Sequence, residues 1–559
     1  MLSSVLLSTV LQAHVALGVA LAASTVTLDA GVFTGKSTSS NTESFLGIPF
    51  AQPPRCDERG IGDLRFRLPV EIPPYNGSYA ATEYGPGCPQ QAFKLPPFTG
   101  EAQEVIDYAA NVIYGELVPS DEDCLTINVI RPKTVMSTSK LPVIAWIFPG
   151  GFEFGASSRS DDTTIVERSI AMKEPVIYVT MNHRVSAFGF LASKEVRAAG
   201  VGNLGLQDQR QAFRWIQKYI AAFGGDPAKV TIAGESSGAI SAAMHMLAND
   251  GDNEGLFRSA FMRSGAPIPV GSVEKGQKYY DAIVQEVGCS SAADTLQCLR
   301  TVPYNALKAA QDASPGIFSH QSLVLAWMPR ADGLFLTDNP QRLIQQGKVA
   351  NVPFVTGSVD DEGTIFSLST LNITTDAEFL MWIKTYFLHN MTTAQADIFT
   401  ALYSSANAAG SPFNTSSLDM LSPQFKRIAA FQASFSLCPF PHSTEDRGAG
   451  APRRFFQQAR SGKQNQWAYL SKRHKDIPFL GSFHTSDEFD ESELTDYIIN
   501  FANALDPNGA TVPAWPAYTT AAPRMLTFLD GAVRTTITND TYRAAGMAFL
   551  TNFTLQAPL

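Results

Sequence analysis

Hydrophobic residues in this chain gather in short runs separated by longer amphipathic stretches. "PVIAWIF" at 142, "PVIYVTM" at 175, "KVTIAG" at 229, "VPFVTGS" at 352 and "WAYLS" at 467 are apolar and rich in β-branched or aromatic side chains, which predicts strands buried on both faces. Between such runs the period changes. In "GLQDQRQAFRWIQKYIAAFGG" the residues Phe213, Ile216 and Ile220 share one helical face, and Gly224 supplies a stop of the kind glycine gives at helix ends. Strands alternating with helices predict an α/β fold: a large, mainly parallel central sheet with helices on both faces and long loop excursions. No repeat, low-complexity linker or charge block divides the chain, so residues 23–559 read as one domain.

Composition narrows the function classes. With 559 residues, 45% of them hydrophobic and 17% charged, the chain can bury a large core. Its 42 basic and 52 acidic residues give a formal charge of -10, with no basic cluster that could track phosphates, so nucleic acid is excluded as a partner. The opening stretch "MLSSVLLSTVLQAHVALGVALAA" is apolar and ends in Ala20-Leu21-Ala22, which predicts a signal peptide over residues 1–22 and export from the cell, although no Lys or Arg precedes the apolar run. No second apolar run is long enough to anchor the chain across a membrane. Six sequons, at Asn76, Asn372, Asn390, Asn414, Asn539 and Asn552, fit the secretory route.

The candidate chemistry begins at "KVTIAGESSGAI". Val230 to Ala233 are strand-like and "SSGAISAAMHML" is helix-compatible, so Ser236 stands at a strand-to-helix junction. A turn that sharp brings strand and helix too close for side chains two positions either side, which accounts for Gly234 and Gly238. A serine hydroxyl needs a histidine to take its proton, and that histidine needs a carboxylate to fix its tautomer. In this chain order the acid follows the serine, and "VPFVTGSVDDEGTIF" offers Asp360, Asp361 and Glu362 just beyond a strand. Of the later histidines, His389, His442, His474 and His484, the last follows an apolar run and a glycine in "IPFLGSFHTSDEF", as a catalytic loop residue should. His474 sits among charges and His442 in a proline-flanked segment.

"FPGGFEFG", "EDCLTINVIRP", "NHRVSAFGF", "DDEGTIF" and "GSFHTSD", together with the long motif around Ser236, resemble the type-B carboxylesterase/lipase family over nearly the whole mature chain. The fungal lipases of the Candida rugosa type and the sterol esterases look most alike, through "GSFHTSD", "SPQFKRIAAF" and "NFANALDPN". The resemblance implies an α/β-hydrolase fold in which Ser236 attacks, Glu362 orients and His484 shuttles the proton, with backbone amides of Gly150, Gly151 and Ser237 as the oxyanion hole. Pro149 stands where the family usually has a glycine, and Ser237 where it usually has alanine. The resemblance also implies disulfides Cys88–Cys124 and Cys289–Cys298, leaving Cys56 and Cys438 over, and ion pairs Arg184–Asp208 and Arg65–Glu122. Glu235, beside the nucleophile, could tune the field at His484 or could be a buried, hydrogen-bonded elbow residue.

The expected function is a secreted serine ester hydrolase acting on lipid or sterol esters, with no cofactor and no metal. Residues 89–123 would form a lid whose apolar face, through Val105, Tyr108, Val112 and Leu117, would meet a lipid interface. Two other readings stand beside it: a short-chain carboxylesterase without interfacial activity, and a non-catalytic adhesion or binding relative. A complete serine, acid and histidine set speaks against the last.

Overall fold

Each of the apolar runs is a strand. In a computed structural model that describes residues 24–54, 64–92, 118–160, 163–415, 418–434, 452–489, 491–541 and 543–559, the strands are β1 (Thr25–Leu28), β2 (Ala30–Thr34), β3 (Lys36–Ser37), β4 (Thr42–Pro49), β5 (Asn76–Ala80), β6 (Thr126–Pro132), β7 (Leu141–Ile147), β8 (Ile177–Met181), β9 (Gly225–Glu235), β10 (Ser259–Arg263), β11 (Phe354–Val359), β12 (Gln466–Lys472), β13 (Arg524–Leu529) and β14 (Thr535–Asn539). Among the described residues the central sheet has 11 strands in the order β14-β13-β12-β11-β10-β9-β7-β8-β6-β4-β3. From β8 to β13 neighbouring strands run parallel, and both flanks turn antiparallel. A separate small sheet joins β1, β2 and β5.

Burial on both faces explains why these runs are continuous rather than alternating. Val143, Ala145 and Ile147 of β7 enter the core on one face, while Ile144 and Trp146 enter the core on the other. Helices α1 (Thr163–Met172) and α4 (Glu491–Ala504) cover the second face, and α2 (Leu204–Tyr219) and α3 (Ser237–Leu247) the first. The predicted helix over 205–223 ends as expected at Gly224, φ +87°, but its last turn tightens into a 3-10 turn at Ile220–Phe223. The parallel arrangement points the C-terminal ends of β7, β9, β10, β11 and β12 to one edge, where ligands of open α/β sheets are held.

Disulfides join Cys88 to Cys124 and Cys289 to Cys298. The signal segment 1–22, Cys56, Cys438, His442 and residues 93–117 of the expected lid lie outside the described residues. Both expected ion pairs form and are buried. Arg65 Nε donates to Glu122 Oε2 at 2.7 Å, and Arg184 donates to both oxygens of Asp208 at 2.7 and 2.6 Å while its backbone N–H adds a third bond at 3.0 Å. These pairs fix the strand-end loops, not the chemistry.

Asp208→Asn should leave a buried guanidinium without its partner, a loss of about 3–5 kcal/mol, whereas Arg184→Met combined with Asp208→Leu should cost less than the single change. Thermal denaturation of the three proteins checks this, and a single variant milder than the double would contradict it.

Candidate active site

Ser236 is the single residue between β9 and α3. Its backbone sits at φ +52°, ψ −122° between the last residue of β9 and the first of α3, a conformation that costs a non-glycine residue on the order of 1–3 kcal/mol. The surroundings enforce it. A Cβ on Gly238 would lie 2.0 Å from the carbonyl oxygen of Ile147, and one on Gly234 would lie 2.5 Å from the carbonyl carbon of Gly238. The Ser236 N–H donates to the Arg263 carbonyl at 2.9 Å, and the Ser236 carbonyl accepts from Ile240 N at 2.9 Å. The hydroxyl is therefore presented at the sheet edge by backbone geometry alone.

A continuous relay runs from that hydroxyl. His484 Nε2 lies 2.8 Å from Ser236 Oγ, and His484 Nδ1 lies 2.5 Å from Glu362 Oε2. The other Glu362 oxygen accepts the Val359 N–H at 2.9 Å, which holds the carboxylate still. The three acids of the turn have separate tasks. Asp361 latches neighbouring loops: it accepts from Ser411 Oγ (2.9 Å), Phe413 N (2.8 Å) and Ser482 N (2.9 Å) and pairs with Lys475 (2.5 Å). Asp360 also pairs with Lys475, and burial pushes it up to about 7 against the pull of that ammonium. A backbone bond from Asp361 N to Ser482 O at 2.8 Å completes the latch between the acid and histidine loops. His389 is exposed and His474 half-buried, and the relay uses neither.

Glu235 is buried, but not as a hydrogen-bonded residue. Neither carboxyl oxygen has a hydrogen-bond partner among the described residues, and Oε1 lies 3.5 Å from His484 Nε2. Burial, reinforced by Glu488 and Asp487, raises its pKa well above the carboxylate range. Arg263, from the end of β10, faces Asp487 at 3.7 Å. The sequence offered no sign of this cluster beyond the proximity of Asp487 and Glu488 to His484, because Arg263 reaches it only through the β9–β10 pairing.

Ser236 and His484 open into a pocket of about 580 Å³, its mouth included. Phe154, Ile317, Phe318, Ile365 and Phe366 give it an apolar lining, which Pro149, Gly150 and Gly151 also join. Gly150 adopts φ +125°, where a Cβ would lie 2.1 Å from the Phe154 carbonyl oxygen, so the loop admits only glycine there. Among the described residues the N–H groups of Gly150 and Gly151 donate to nothing. Ser237 opens α3, where an N–H has no intrahelical acceptor. Proline at 149 removes no donor from that set. Among the described residues no group of three or more His, Cys, Asp and Glu side chains is placed to hold a metal ion, and no helix is long and apolar enough to cross a membrane.

Comparison with known proteins gives the family and the fold. A family model described as "Carboxylesterase family" matches residues 22–546. The chain is 41% identical over 535 residues to Lipase 2 of Diutina rugosa, covering 91% of this chain and 92% of that protein. It is 39% identical over 503 residues to Secreted lipase 1 of Botryotinia fuckeliana (strain B05.10), covering 86% and 84%. The crystal structure of Aspergillus niger EstA superposes with a TM-score of 0.76 at 26% identity, covering 95% of this chain and 98% of that one.

Gly238→Ala should abolish folded product or leave the relay misaligned, since the added methyl meets backbone on a central strand rather than a side chain that could turn away. Near-normal yield and ester hydrolysis by that variant would contradict the close packing of β7, β9 and α3.

Proposed function

The chain belongs to the carboxylesterase family and is a serine ester hydrolase, and on that premise we propose that Ser236, His484 and Glu362 cleave lipid esters through an acyl-enzyme. The observation that carries the assignment is the unbroken relay of 2.8 and 2.5 Å contacts ending at a serine on a strained elbow. In this reading Ser236 Oγ attacks the ester carbonyl while His484 Nε2 takes its proton, and Glu362 stabilises the imidazolium and holds the tautomer. The amides of Gly150, Gly151 and Ser237 receive the oxyanion, each donor contributing about 3 kcal/mol in the transition state. His484 then protonates the departing alkoxide, and a water attacks the acyl-enzyme by the same path in reverse.

The apolar wall formed by Ile317, Phe318, Ile365 and Phe366 supports a long-chain or sterol ester over a small polar one, as does the similarity to lipases. The complete relay speaks against a binding-only role. We also propose that residues 1–22 direct export and that 23–559 form one catalytic domain. The asparagines of all six sequons, Asn76, Asn372, Asn390, Asn414, Asn539 and Asn552, are at least partly exposed, as glycan attachment on a secretory route requires.

Ser236→Ala should reduce ester hydrolysis by at least about a thousandfold while leaving a folded protein, and His484→Ala by a similar factor. A serine-directed organophosphonate should label the wild type at Ser236, and labelling at Ser237 would displace the assignment by one residue. On p-nitrophenyl esters from acetate to palmitate the specificity constant should climb with chain length, and a maximum at acetate would make the protein a short-chain carboxylesterase. Enzymatic removal of N-glycans from the exported protein should lower its mass, and an unchanged mass would argue against glycan attachment at the six sequons.

A further inference from the structure

The loop that carries Gly150 and Gly151 also carries Glu153, a residue the proposed mechanism does not use. Glu153 is 2% exposed, and its backbone is held on both sides. The N–H donates to the Gly150 carbonyl at 2.9 Å, and the carbonyl accepts from Gln91 N at 2.8 Å and from Ser186 Oγ at 2.7 Å. With the main chain fixed, the side chain reaches out of the loop and its Oε2 accepts the Ile317 N–H at 2.8 Å. Ile317 belongs to a turn closed by a bond from Ser319 N to Gly316 O at 2.8 Å. That turn sets Ile317 and Phe318 in the pocket wall. Ile317 Cδ1 lies 3.0 Å from where a Cβ on Gly151 would stand. Phe318 stacks on Phe366 at 6.4 Å, and Phe366 lies 5.1 Å from the His484 ring.

We propose that Glu153 is a positioning residue that fixes the Ile317–Phe318 wall against the oxyanion loop and thereby sets which ester chains the pocket accepts. The proposal rests on the reading that the pocket beside Ser236 receives the substrate.

The choice of a carboxyl group adds a pH dependence to this link. The groups nearest the carboxyl are uncharged: the Ile317 N–H that it accepts, and the Gln91 amide on the same side of Gly316. On the elements packed around it, Asp312 and Lys308 pair with each other at 2.5 Å. His484, Glu235, Glu362 and Glu488 belong to the relay and pocket, and Arg184 is bound to Asp208. Burial pushes the Glu153 carboxyl up to about 8, and the Ile317 N–H pulls it down less strongly. At neutral pH it is an uncharged acceptor. Above that range it becomes a buried negative charge with one donor, beside amides that must receive an oxyanion, and the wall loosens as the charge seeks water. A folded-state value above that of an unfolded carboxyl means that stability is present at low pH and is lost as pH rises toward the folded value.

The test compares wild type, Glu153→Gln, which keeps a neutral carbonyl acceptor, and Glu153→Leu, which keeps bulk without one. Each protein is first titrated with a p-nitrophenyl phosphonate that counts reactive serines. Failure to label Ser236 in the wild type overturns the active-site reading itself, and with normal labelling any change in chain-length selectivity reports on Glu153. The kcat and KM for p-nitrophenyl laurate and butyrate are then measured near pH 6.5 and near pH 9. At the lower pH, Glu153→Gln should keep the laurate-to-butyrate ratio of kcat/KM within about twofold of wild type, and Glu153→Leu should lose about tenfold of it. At the higher pH the wild-type ratio should fall and that of Glu153→Gln should not. Equal ratios for Gln and Leu, or the same pH course for wild type and Gln, would overturn the proposal. If Glu153→Leu does not fold, the melting temperatures of the other two decide. The wild type should lose stability relative to Glu153→Gln as pH rises from about 5 to about 8 and run parallel above it, and parallel curves throughout would overturn the proposal.

Discussion

The contact on which the rest of the site depends is the approach of α3 to β7 beneath Ser236. The Ile147 carbonyl leaves no room for a side chain at Gly238, and Gly238 leaves none at Gly234. With both neighbours reduced to hydrogen, the chain passes directly from strand to helix and Ser236 is forced to positive φ. The strain is held by the sheet on either side, since Ser236 N is bound to Arg263 O and β9 is paired to both β7 and β10. Rigidity there fixes the hydroxyl beside His484.

The remaining partners come from two loops that arrive separately, after β11 and after β12, and their registration is a second structural problem. Asp361 solves it by accepting three bonds, two from the 411–413 segment and one from Ser482, and pairing with Lys475, so the acid turn and the histidine loop are tied together. Electrostatics then distinguish carboxyls a few ångströms apart. Glu362 faces a histidine and a backbone N–H, while Glu235 and Glu153 are buried without a cation in direct contact and are pushed upward. Burial thus opposes the accumulation of negative charge among the acids around His484.

Much of this was legible in the sequence, because the elbow is a local device. Gly234, Ser236 and Gly238 carry their reason in their spacing, and the buried parallel strands carry theirs in continuous apolar runs. The acid was legible as a turn but not as a residue: Asp360, Asp361 and Glu362 are adjacent, and only the loop bearing His484 and Ser482 separates their tasks. Family resemblance supplied Glu362, both disulfides and both buried ion pairs. Of the two roles open to Glu235, the hydrogen-bonded elbow residue does not hold, because Arg263 turns to Asp487 instead and leaves the carboxyl facing His484. Glu153 gave no signal, since its partner is a backbone N–H far along the chain at Ile317, and no pattern of side chains records a bond to a peptide.

The two edges of the central sheet differ from its middle in a way that bears on the life of the protein outside a dilute solution. Among the described residues one edge is β3, two residues long, Lys36 and Ser37. The other is β14, a threonine-rich strand with every position at least partly exposed. An 11-stranded sheet with long apolar margins would offer unpaired N–H and C=O groups as a template for other chains. Here one margin is too short and charged to extend and the other too polar to hold an apolar neighbour, so the large hydrophobic sheet that builds the site is shielded from joining other copies edge to edge into aggregates.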